Sequence, residues 1–313
     1  MENALKKLSQ MPPLSVAEFV EYCLFNPESG YYMKDAERAG KRGDFYTSST
    51  LSPKVFSEML IEAAQTLAAK NRADLPEFKV AEIGAEPNKG LFENAQTFGV
   101  KDELKLEGSL FLFSNELLDS RPFDRFVFRR GKVFKTYLDF SKNPPRPEIF
   151  ELPAEKFEAE ALKKYFPEAP ENFAVDFSFD SLNLLKKIAD MPWRGTLIFL
   201  DYYRSAAELM DMRSPSGRAY KSHFASSDIF SMPANCDITF SPPIEPYLDI
   251  LHESGFSEIG FAPQGAFFVK SAPNKIREIL ESRDALSPEK RALGELLSPA
   301  HMGECFRVLS ASR

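Results

Sequence analysis

The sequence is poor in cysteine and histidine, and this shortage narrows the possible chemistry. Among 313 residues there are 3 cysteines and 3 histidines. Cys23, Cys236 and Cys305 lie far apart, are odd in number and form no Cys-x-x-Cys pair, which argues against a disulfide framework and against a structural zinc site. So few histidines also disfavour a histidine-rich metal site. We therefore expect no bound metal.

Long hydrophobic runs and an excess of positive charge are also lacking. No segment approaches the roughly 20 apolar residues that a membrane-spanning helix needs, and Met1–Lys7 lacks the apolar core of a signal peptide. Lysine and arginine number 39 against 46 acidic residues, a net charge of −7, whereas a generic nucleic-acid binder needs clustered basic side chains to contact phosphates. We expect a cytoplasmic protein with no membrane span and no nucleic-acid partner.

The first part of the chain shows helical patterns. Ser15 and Glu18 have the spacing of a capping box, and apolar residues then recur at helical intervals. Asn26–Gly30 ends this helix, because proline disfavours helix in the residue before it and glycine tolerates the turn. A second helix is predicted over Pro53–Ala69. We interpret residues 1–75 as an N-terminal helical cap and loop.

Three short apolar runs indicate strands that are buried on both faces, namely Phe78–Ile83, Ser109–Ser114 and Thr196–Asp201. The fold class that they predict is α/β, with a Rossmann-like sheet in which the three runs are parallel neighbours. In such a sheet, ligands bind at the carboxyl ends of the strands. The polar residues at these ends are Glu82 and Gly84, Asn115 and Glu116, and Asp201.

The remaining segments are interpreted from local patterns. These predict a helix from Leu91, a hairpin over Phe126–Phe134, a loop over Asn143–Pro153, a helix over Ser181–Ala189, an irregular polar stretch over Arg204–Pro246, a helix over Pro246–Ser254, and strands over Ser257–Phe261, Gly265–Lys270 and Cys305–Ser310. The irregular stretch is too long for a plain connection. We therefore expect residues 76–313 to form one Rossmann-like domain with a lid inserted at about residues 204–245.

Three polar clusters could carry chemistry, and each has an ordinary structural alternative. The turn Glu82–Leu91 lies where a nucleotide-binding strand-to-helix connection would be, but it is poor in glycine and also fits a plain connection. Asn115, Glu116 and Asp119 could hold an amine or a guanidinium against a reacting centre, or could cap a helix. The loop Gly43–Ser49 fits a turn and a helix N-cap on composition alone.

Taken in order, however, the motifs resemble one family along nearly the whole chain. The chain is similar to the MidA-like family of S-adenosylmethionine-dependent methyltransferases, which includes a mitochondrial complex I assembly factor that methylates a protein arginine. The segments that carry the resemblance are Phe19, Asn26–Tyr32, Gly43–Ser48, Asn115–Glu116, Asp119, Pro122, Arg125–Phe126, Asp201–Tyr202, Arg218–Tyr220 with His223, Asp237–Thr239, Gln264, Met302–Glu304 and Phe306–Leu309.

The resemblance implies a class I methyltransferase sheet of seven strands, with S-adenosyl-L-methionine at the glycine turn after the first strand and a protein as substrate or assembly partner. It implies a catalytic role for Asn115, Glu116 and Asp119. The residues that it implies for cofactor binding are Glu82, Gly84, Gly90, Gly43, Asp44, Thr47, Ser48 and Asp201.

The chain departs from the family pattern on the cofactor side. The family's turn is an acidic residue followed by Gly-x-Gly-x-Gly, whereas this chain keeps Glu82, Gly84 and Gly90 with Glu86 and Asn88 between them. Glu86 would bring negative charge near the carboxylate of the cofactor, at a turn that depends on bare backbone N–H groups. We therefore expect impaired cofactor binding.

A second departure concerns the acidic residue that holds the ribose hydroxyls in the family. The segment from Leu91 to Ser114 is too short for a helix, two strands and a second helix at typical lengths. The ribose-binding element is thus expected to be missing, and the sheet to be truncated on the second-strand side, beyond the Phe78–Ile83 strand.

Two functions compete on this basis. The first is a S-adenosylmethionine-dependent methyltransferase of a protein, with arginine as the acceptor. The second is a non-catalytic protein that keeps the methyltransferase fold and acts in assembly or interaction. A nicotinamide-dependent enzyme is disfavoured because the Gly-x-Gly-x-x-Gly fingerprint is absent. We favour the methyltransferase.

Overall fold

The computed structural model describes residues 2–34, 47–70, 78–85, 90–212, 214–284 and 287–313. In addition to a short 3₁₀ turn at Tyr31–Met33, the helices in chain order are α1 (Glu2–Leu8), α2 (Val16–Phe25), α3 (Ser48–Leu51), α4 (Pro53–Lys70), α5 (Lys156–Tyr165), α6 (Phe179–Asp190), α7 (Ala206–Asp211), α8 (Ile244–Glu253), α9 (Gln264–Ser271), α10 (Pro273–Glu281), α11 (Pro288–Leu297) and α12 (Met302–Cys305).

The strands form three sheets. In chain order they are β1 (Leu14–Ser15), β2 (Lys79–Ile83), β3 (Gln96–Phe98), β4 (Gly108–Asn115), β5 (Asp124–Arg129), β6 (Lys132–Asp139), β7 (Glu148–Pro153), β8 (Ala174–Phe177), β9 (Trp193–Asp201), β10 (Arg218–Lys221), β11 (Phe224–Ser226), β12 (Asp237–Thr239), β13 (Ser257–Pro263) and β14 (Arg307–Ser312).

The chain divides into two compact units. The first unit comprises Met1–Phe45, Leu118–Leu184 and Tyr203–Tyr247, and the second comprises Tyr46–Leu117, Leu185–Tyr202 and Leu248–Arg313. The predicted boundary between residues 75 and 76 lies outside the described residues, so the division into a cap and a methyltransferase domain stays a prediction. Within the described residues, no helix combines the length and the apolar character that crossing a membrane requires.

The second unit contains a six-stranded sheet in the order β13-β14-β9-β4-β2-β3. β3, β2, β4 and β9 are parallel to one another, β14 runs antiparallel to β9, and β13 runs antiparallel to β14. The predicted Rossmann-like sheet is confirmed, and so is the parallel order of the three central strands. Beyond β2 the described residues supply only the three-residue strand β3, which agrees with the predicted truncation.

The central strands are buried on both faces, which explains why they could be predicted from the sequence. Every residue of β9 except Arg194 is buried, and so are Leu110–Ser114 of β4. Helix α4 covers one face, where Phe56 packs edge-on against Phe113 with ring centroids 6.1 Å apart. Continuous apolar runs of this length are typical of parallel strands that are buried on both faces.

The first unit is built on antiparallel pairing. One sheet has the order β1-β6-β5-β8, with β7 added to β6, and a second sheet has the order β11-β10-β12. Helix α2 begins with the predicted capping box, in which Ser15 Oγ accepts from the Glu18 N–H and the Glu18 carboxylate accepts from the Ser15 N–H. Its buried face includes Phe19, which stacks on Phe140 at 5.7 Å. The predicted hairpin is confirmed as β5–β6.

The helix predicted from Leu91 is wrong. The Leu91 N–H donates to the Glu82 carboxylate at 2.7 Å rather than entering a helix, and Asn94 has a left-handed backbone with φ of 59°. The segment then forms β3, which pairs in parallel with β2. A short parallel strand gives a weak sequence signal, because much of its pairing energy comes from a distant partner.

Three further predictions are corrected. The proposed loop Asn143–Pro153 contains β7, an edge strand whose terminal proline is tolerated because its outer side needs no ladder donor. The proposed strand Gly265–Lys270 is part of helix α9, since a short apolar run fits a buried helix as well as a strand. The stretch 204–246 is not irregular: it holds α7, β10, β11 and β12. A lid role for residues 204–245 stays a prediction.

Candidate functional site

The carboxyl ends of the parallel strands meet at one edge of the sheet in the second unit. The residues that pair there are Ile83 with Ser114, Asn115 with Leu200, Asp201 with Arg307, and Arg307 with Pro263. The register thus places most of the predicted site residues of this unit along a single edge, which is where open α/β sheets bind ligands.

Asn115 and Glu116 form a fixed pair at the end of β4. Asn115 Nδ2 donates to Glu116 Oε1 at 2.7 Å, and the Glu116 N–H donates to the Leu200 carbonyl at 2.9 Å. Glu116 has a left-handed backbone with φ of 54°, a conformation that is costly for residues other than glycine and is enriched at functional sites. The strained turn, anchored to β9, presents an amide and a carboxylate side by side.

The turn after β2 is shaped by Gly84 and Glu82. Gly84 has φ of 83°, and a Cβ there would lie 3.1 Å from Leu117 Cδ1, so this position favours glycine. The Glu82 carboxylate accepts from the Leu91 N–H at 2.7 Å, and a Cβ on Gly90 would lie 3.5 Å from Glu82 Oε2. Both ends of the predicted glycine turn therefore lie close to Glu82. Residues 86–89, including Glu86 and Asn88, lie outside the described residues.

Glu82 is buried, with 8% of its surface exposed. Burial raises the pKa of Glu82 to about 7, and the hydrogen bond from the Leu91 N–H opposes this shift only in part. The folded chain therefore holds a carboxyl group at the strand end whose protonation changes near neutral pH.

A pH-dependent contribution to stability is expected from Glu82. Its pKa rises from 4.5 toward about 7 on folding, so the folded state holds the proton more tightly. The contribution is fully present below pH 4.5, falls as the pH rises to about 7, and is level above that, with a total of at most about 3 kcal/mol. Relative to the wild type, Glu82→Gln should gain unfolding free energy across this window.

Urea unfolding at pH 4.5, 6 and 7.5 measures this difference. The exposed carboxylate variant Glu93→Gln is the matched control in the same connection, and it should not reproduce the trend. A Glu82→Gln difference that is constant with pH would contradict the expectation.

Thr47 and Ser48 lie at the start of α3. The Thr47 N–H donates to Thr50 Oγ1 at 3.0 Å, which fixes the first turn of that helix. Ser48 is fully buried, and its hydroxyl donates to Gln264 Oε1 at 2.7 Å. The structure therefore gives Ser48 an internal partner. Gly43 and Asp44 lie outside the described residues.

Asp201 and Asp119 are both fully buried, in different units. Asp201 ends β9 in the second unit, in register with Arg307 of β14. Asp119 belongs to the first unit, where its carbonyl accepts from the Phe240 N–H at 3.0 Å. Burial, and then the charges of Asp237 and Asp119, raise the pKa of Tyr32 well above its ordinary value.

Sequence reasoning missed two residues at this edge, Ser114 and Asp102. Ser114 Oγ is buried and has no hydrogen-bond partner within the described ranges, and the same holds for Asn115 Oδ1. Asp102 follows β3, and its carboxylate accepts from the Gly99 N–H at 2.7 Å. Phe98, at the end of β3, pairs with Ile83, so this acid follows the strand next to the glycine turn. An acidic residue just after a strand was the available signal, but β3 itself was not predicted.

The edge carries polar groups that suit a polar organic ligand. Buried polar atoms without partners are rare in proteins and indicate that water or a ligand completes them. Carboxylates and an amide can accept hydrogen bonds from hydroxyl, amino or guanidinium groups. Nowhere in the described ranges do three or more His, Cys, Asp or Glu side chains cluster in a way that could hold a metal ion.

Comparison with known proteins places these features in context. A family model described as "Putative S-adenosyl-L-methionine-dependent methyltransferase" matches residues 29–243. Two curated relatives named "Protein arginine methyltransferase NDUFAF7, mitochondrial" are similar over short stretches: the Bos taurus protein is 34% identical over 93 residues and the Mus musculus protein 31% over 91. These stretches cover 29% of this chain but only 19% and 20% of the relatives.

Two crystal structures of Burkholderia thailandensis proteins share the fold over nearly the whole chain. One of them is bound to S-adenosyl-homocysteine; it has a TM-score of 0.82 and covers 99% of this chain and 93% of that one. The other has a TM-score of 0.79, with 99% and 92% covered. Sequence identity is 19% in both cases, so the likeness establishes the fold.

Proposed function

Because the chain belongs to the S-adenosyl-L-methionine-dependent methyltransferase family, we propose that it transfers a methyl group from that cofactor to an arginine side chain of a protein. The observation that carries this proposal is the family match over residues 29–243. The polar cluster at the carboxyl edge of the sheet supports it, and the curated relatives, which are named as protein arginine methyltransferases, support the choice of acceptor.

The cofactor side of the proposed site lies around β2 and β3. Gly84 follows β2 with a left-handed backbone, Glu82 supplies a carboxylate at the end of β2, and Asp102 supplies a second carboxylate after β3. Carboxylate oxygens suit the amino and ribose hydroxyl groups of S-adenosyl-L-methionine. When bound, the cofactor supplies an activated methyl group on a sulfonium. Roles for Gly43, Asp44, Thr47 and Asp201 as cofactor contacts, and for Ser48 through the position of α3, remain part of the proposal.

The acceptor side is proposed at Asn115 and Glu116. A guanidinium presents N–H donors in a fixed fork, and a carboxylate can accept two of them in a charge-assisted pair. The hydrogen bond from Asn115 to Glu116 would hold the carboxylate in place, so that the acceptor nitrogen is oriented and its proton has a nearby acceptor. A catalytic role for Asp119, which is buried in the first unit, is a separate part of the proposal and rests on the resemblance of its motif.

The affinity for the cofactor is proposed to be weakened by Glu86 and Asn88, which replace the small residues of the family's turn. A site weakened far enough would leave a non-catalytic assembly or interaction protein, the alternative function. In either case the partner is a protein. A cytoplasmic location and the lack of a nucleic-acid partner belong to the same proposal, on the strength of composition and net charge.

Labelled methyl transfer tests the proposed reaction. The purified chain is incubated with methyl-labelled cofactor and a protein extract, and the labelled proteins are hydrolysed to amino acids. We expect label in methylarginine, and its loss when Glu116→Gln replaces the wild type. Label confined to other amino acids would contradict the arginine acceptor. No transfer despite measurable cofactor binding would favour the non-catalytic alternative.

A further inference from the structure

We propose that Gln264 is a positioning residue for the cofactor site: it anchors helix α3 to the carboxyl edge of the sheet through Ser48. This inference rests on the proposed function, since Thr47 and Ser48 matter to the reaction only if the cofactor binds near α3. It assigns a role to two sequence signatures, Gln264 and Met302–Glu304, that the proposed chemistry leaves unused.

The position of Gln264 follows from the strand register. β13 ends at Pro263, which pairs with Arg307, and Arg307 pairs with Asp201 at the end of β9. Gln264 is the next residue, and its N–H donates to the Phe306 carbonyl at 2.9 Å. It therefore lies at the same edge as Asn115 and Asp201, where the proposed site is located.

The side chain of Gln264 joins three segments. It is fully buried, its Oε1 accepts from Ser48 Oγ at 2.7 Å, and its Nε2 donates to the Leu296 carbonyl of α11 at 2.8 Å. A buried amide requires partners for both its ends, so each of these contacts restricts where the others can lie. Helix α3 has only four residues, so its position depends on contacts with other segments, and the hydrogen bond to Gln264 of α9 is one of them.

Gly303 allows a close backbone approach between α12 and the end of α11. A Cβ at Gly303 would lie 2.3 Å from the Leu297 carbonyl oxygen, a distance that no side chain could tolerate without moving backbone. The close approach brings Met302 to Ser48, with 3.6 Å between Met302 Sδ and Ser48 Oγ. The signature around Met302 thus packs α12 against α3.

Ser48 consequently acts through its position. It is fully buried and its hydroxyl hydrogen is donated to Gln264, so it fixes the start of α3 instead of offering that hydrogen to a ligand. Loss of either partner leaves a buried polar group of the other without its bond and frees α3 to shift. The expected consequence is weaker cofactor binding.

A double-mutant cycle on cofactor affinity tests this inference. We expect Ser48→Ala and Gln264→Leu each to raise the dissociation constant for S-adenosyl-homocysteine about fivefold, and the double variant to be no weaker than the weaker single variant. Ser271→Ala is the matched control: Ser271 is buried on the same helix α9 and donates to the Phe267 carbonyl within that helix. It should lower the melting temperature comparably and leave the dissociation constant unchanged.

The outcomes separate this inference from the proposed function. Wild-type binding with an unchanged constant in Ser48→Ala overturns the inference alone, as does equal weakening by Ser271→Ala, which would reveal a general effect of stability. Strictly additive effects of the two substitutions would also overturn it. No binding by the wild type overturns both. If Gln264→Leu fails to fold, the dissociation constants of Ser48→Ala and Ser271→Ala are compared, and only Ser48→Ala should bind more weakly than the wild type.

Discussion

Glu116→Gln and Asn115→Ala are each expected to reduce methyl transfer by at least about 100-fold while leaving cofactor affinity nearly unchanged. The glutamine is isosteric but carries no charge to pair with a guanidinium and no base to take its proton. Removal of the Asn115 amide takes away the hydrogen bond of 2.7 Å that fixes the Glu116 carboxylate. Asn115 ends β4, and Glu116 follows it on a backbone turn anchored to β9, so the fold should persist.

Steady-state kinetics together with cofactor titration check this expectation. Glu103→Gln is the matched control, since Glu103 is an exposed carboxylate paired at 2.9 Å with Lys105 in the same unit, and it should retain wild-type rates. The expectation would be wrong if Glu116→Gln lowered cofactor affinity in proportion to the rate, because Glu116 would then serve the cofactor and not the acceptor.

Asp102→Asn is expected to weaken cofactor binding about 10-fold or more, because a hydrogen bond to a charged group contributes about 1.5–3 kcal/mol. Asp102 follows the strand next to the glycine turn, and we propose that its carboxylate accepts from the ribose hydroxyls, in place of the ribose-binding element that the sequence was expected to lack. The asparagine keeps an oxygen that can accept from the Gly99 N–H, so the turn itself should survive. The loss should therefore appear in affinity with little change in stability.

Titration calorimetry with the cofactor measures this loss, with Glu103→Gln again as control because it neutralises a neighbouring carboxylate of the same segment. A change of less than twofold in Asp102→Asn would show that the ribose is held elsewhere. A large fall in melting temperature would point instead to the contact with Gly99.

Much of the second unit could be predicted because its central strands are buried on both faces, and such strands are continuous apolar runs in the sequence. β4 and β9 are continuous apolar runs, and the polar residues that end them, Asn115 and Asp201, consequently marked the ligand-binding edge. β3 left no such mark, because three residues at a sheet edge carry little pattern of their own. Because β3 was not predicted, Asp102 was not recognised as an acidic residue that follows a strand.

The role of Gln264 was beyond sequence reasoning for a different reason. Its partner Ser48 is far away in the chain, and a hydrogen bond between distant residues depends on how α3 and α9 pack, which no local spacing reveals. The segment after Pro263 was predicted as a strand for a related reason: Phe267 and Phe268 are both buried, and a short apolar run does not distinguish a buried helix from a strand.

Titration calorimetry of the purified chain with S-adenosyl-L-methionine tests the central claim most directly. We predict saturable binding of one molecule per chain, with a dissociation constant of about 0.1–1 mM, because the edge keeps Gly84, Glu82 and Asp102, and because we propose that Glu86 and Asn88 in the turn weaken the affinity. A low micromolar constant would show that the turn does not weaken binding. No binding up to about 10 mM would contradict the methyltransferase function itself.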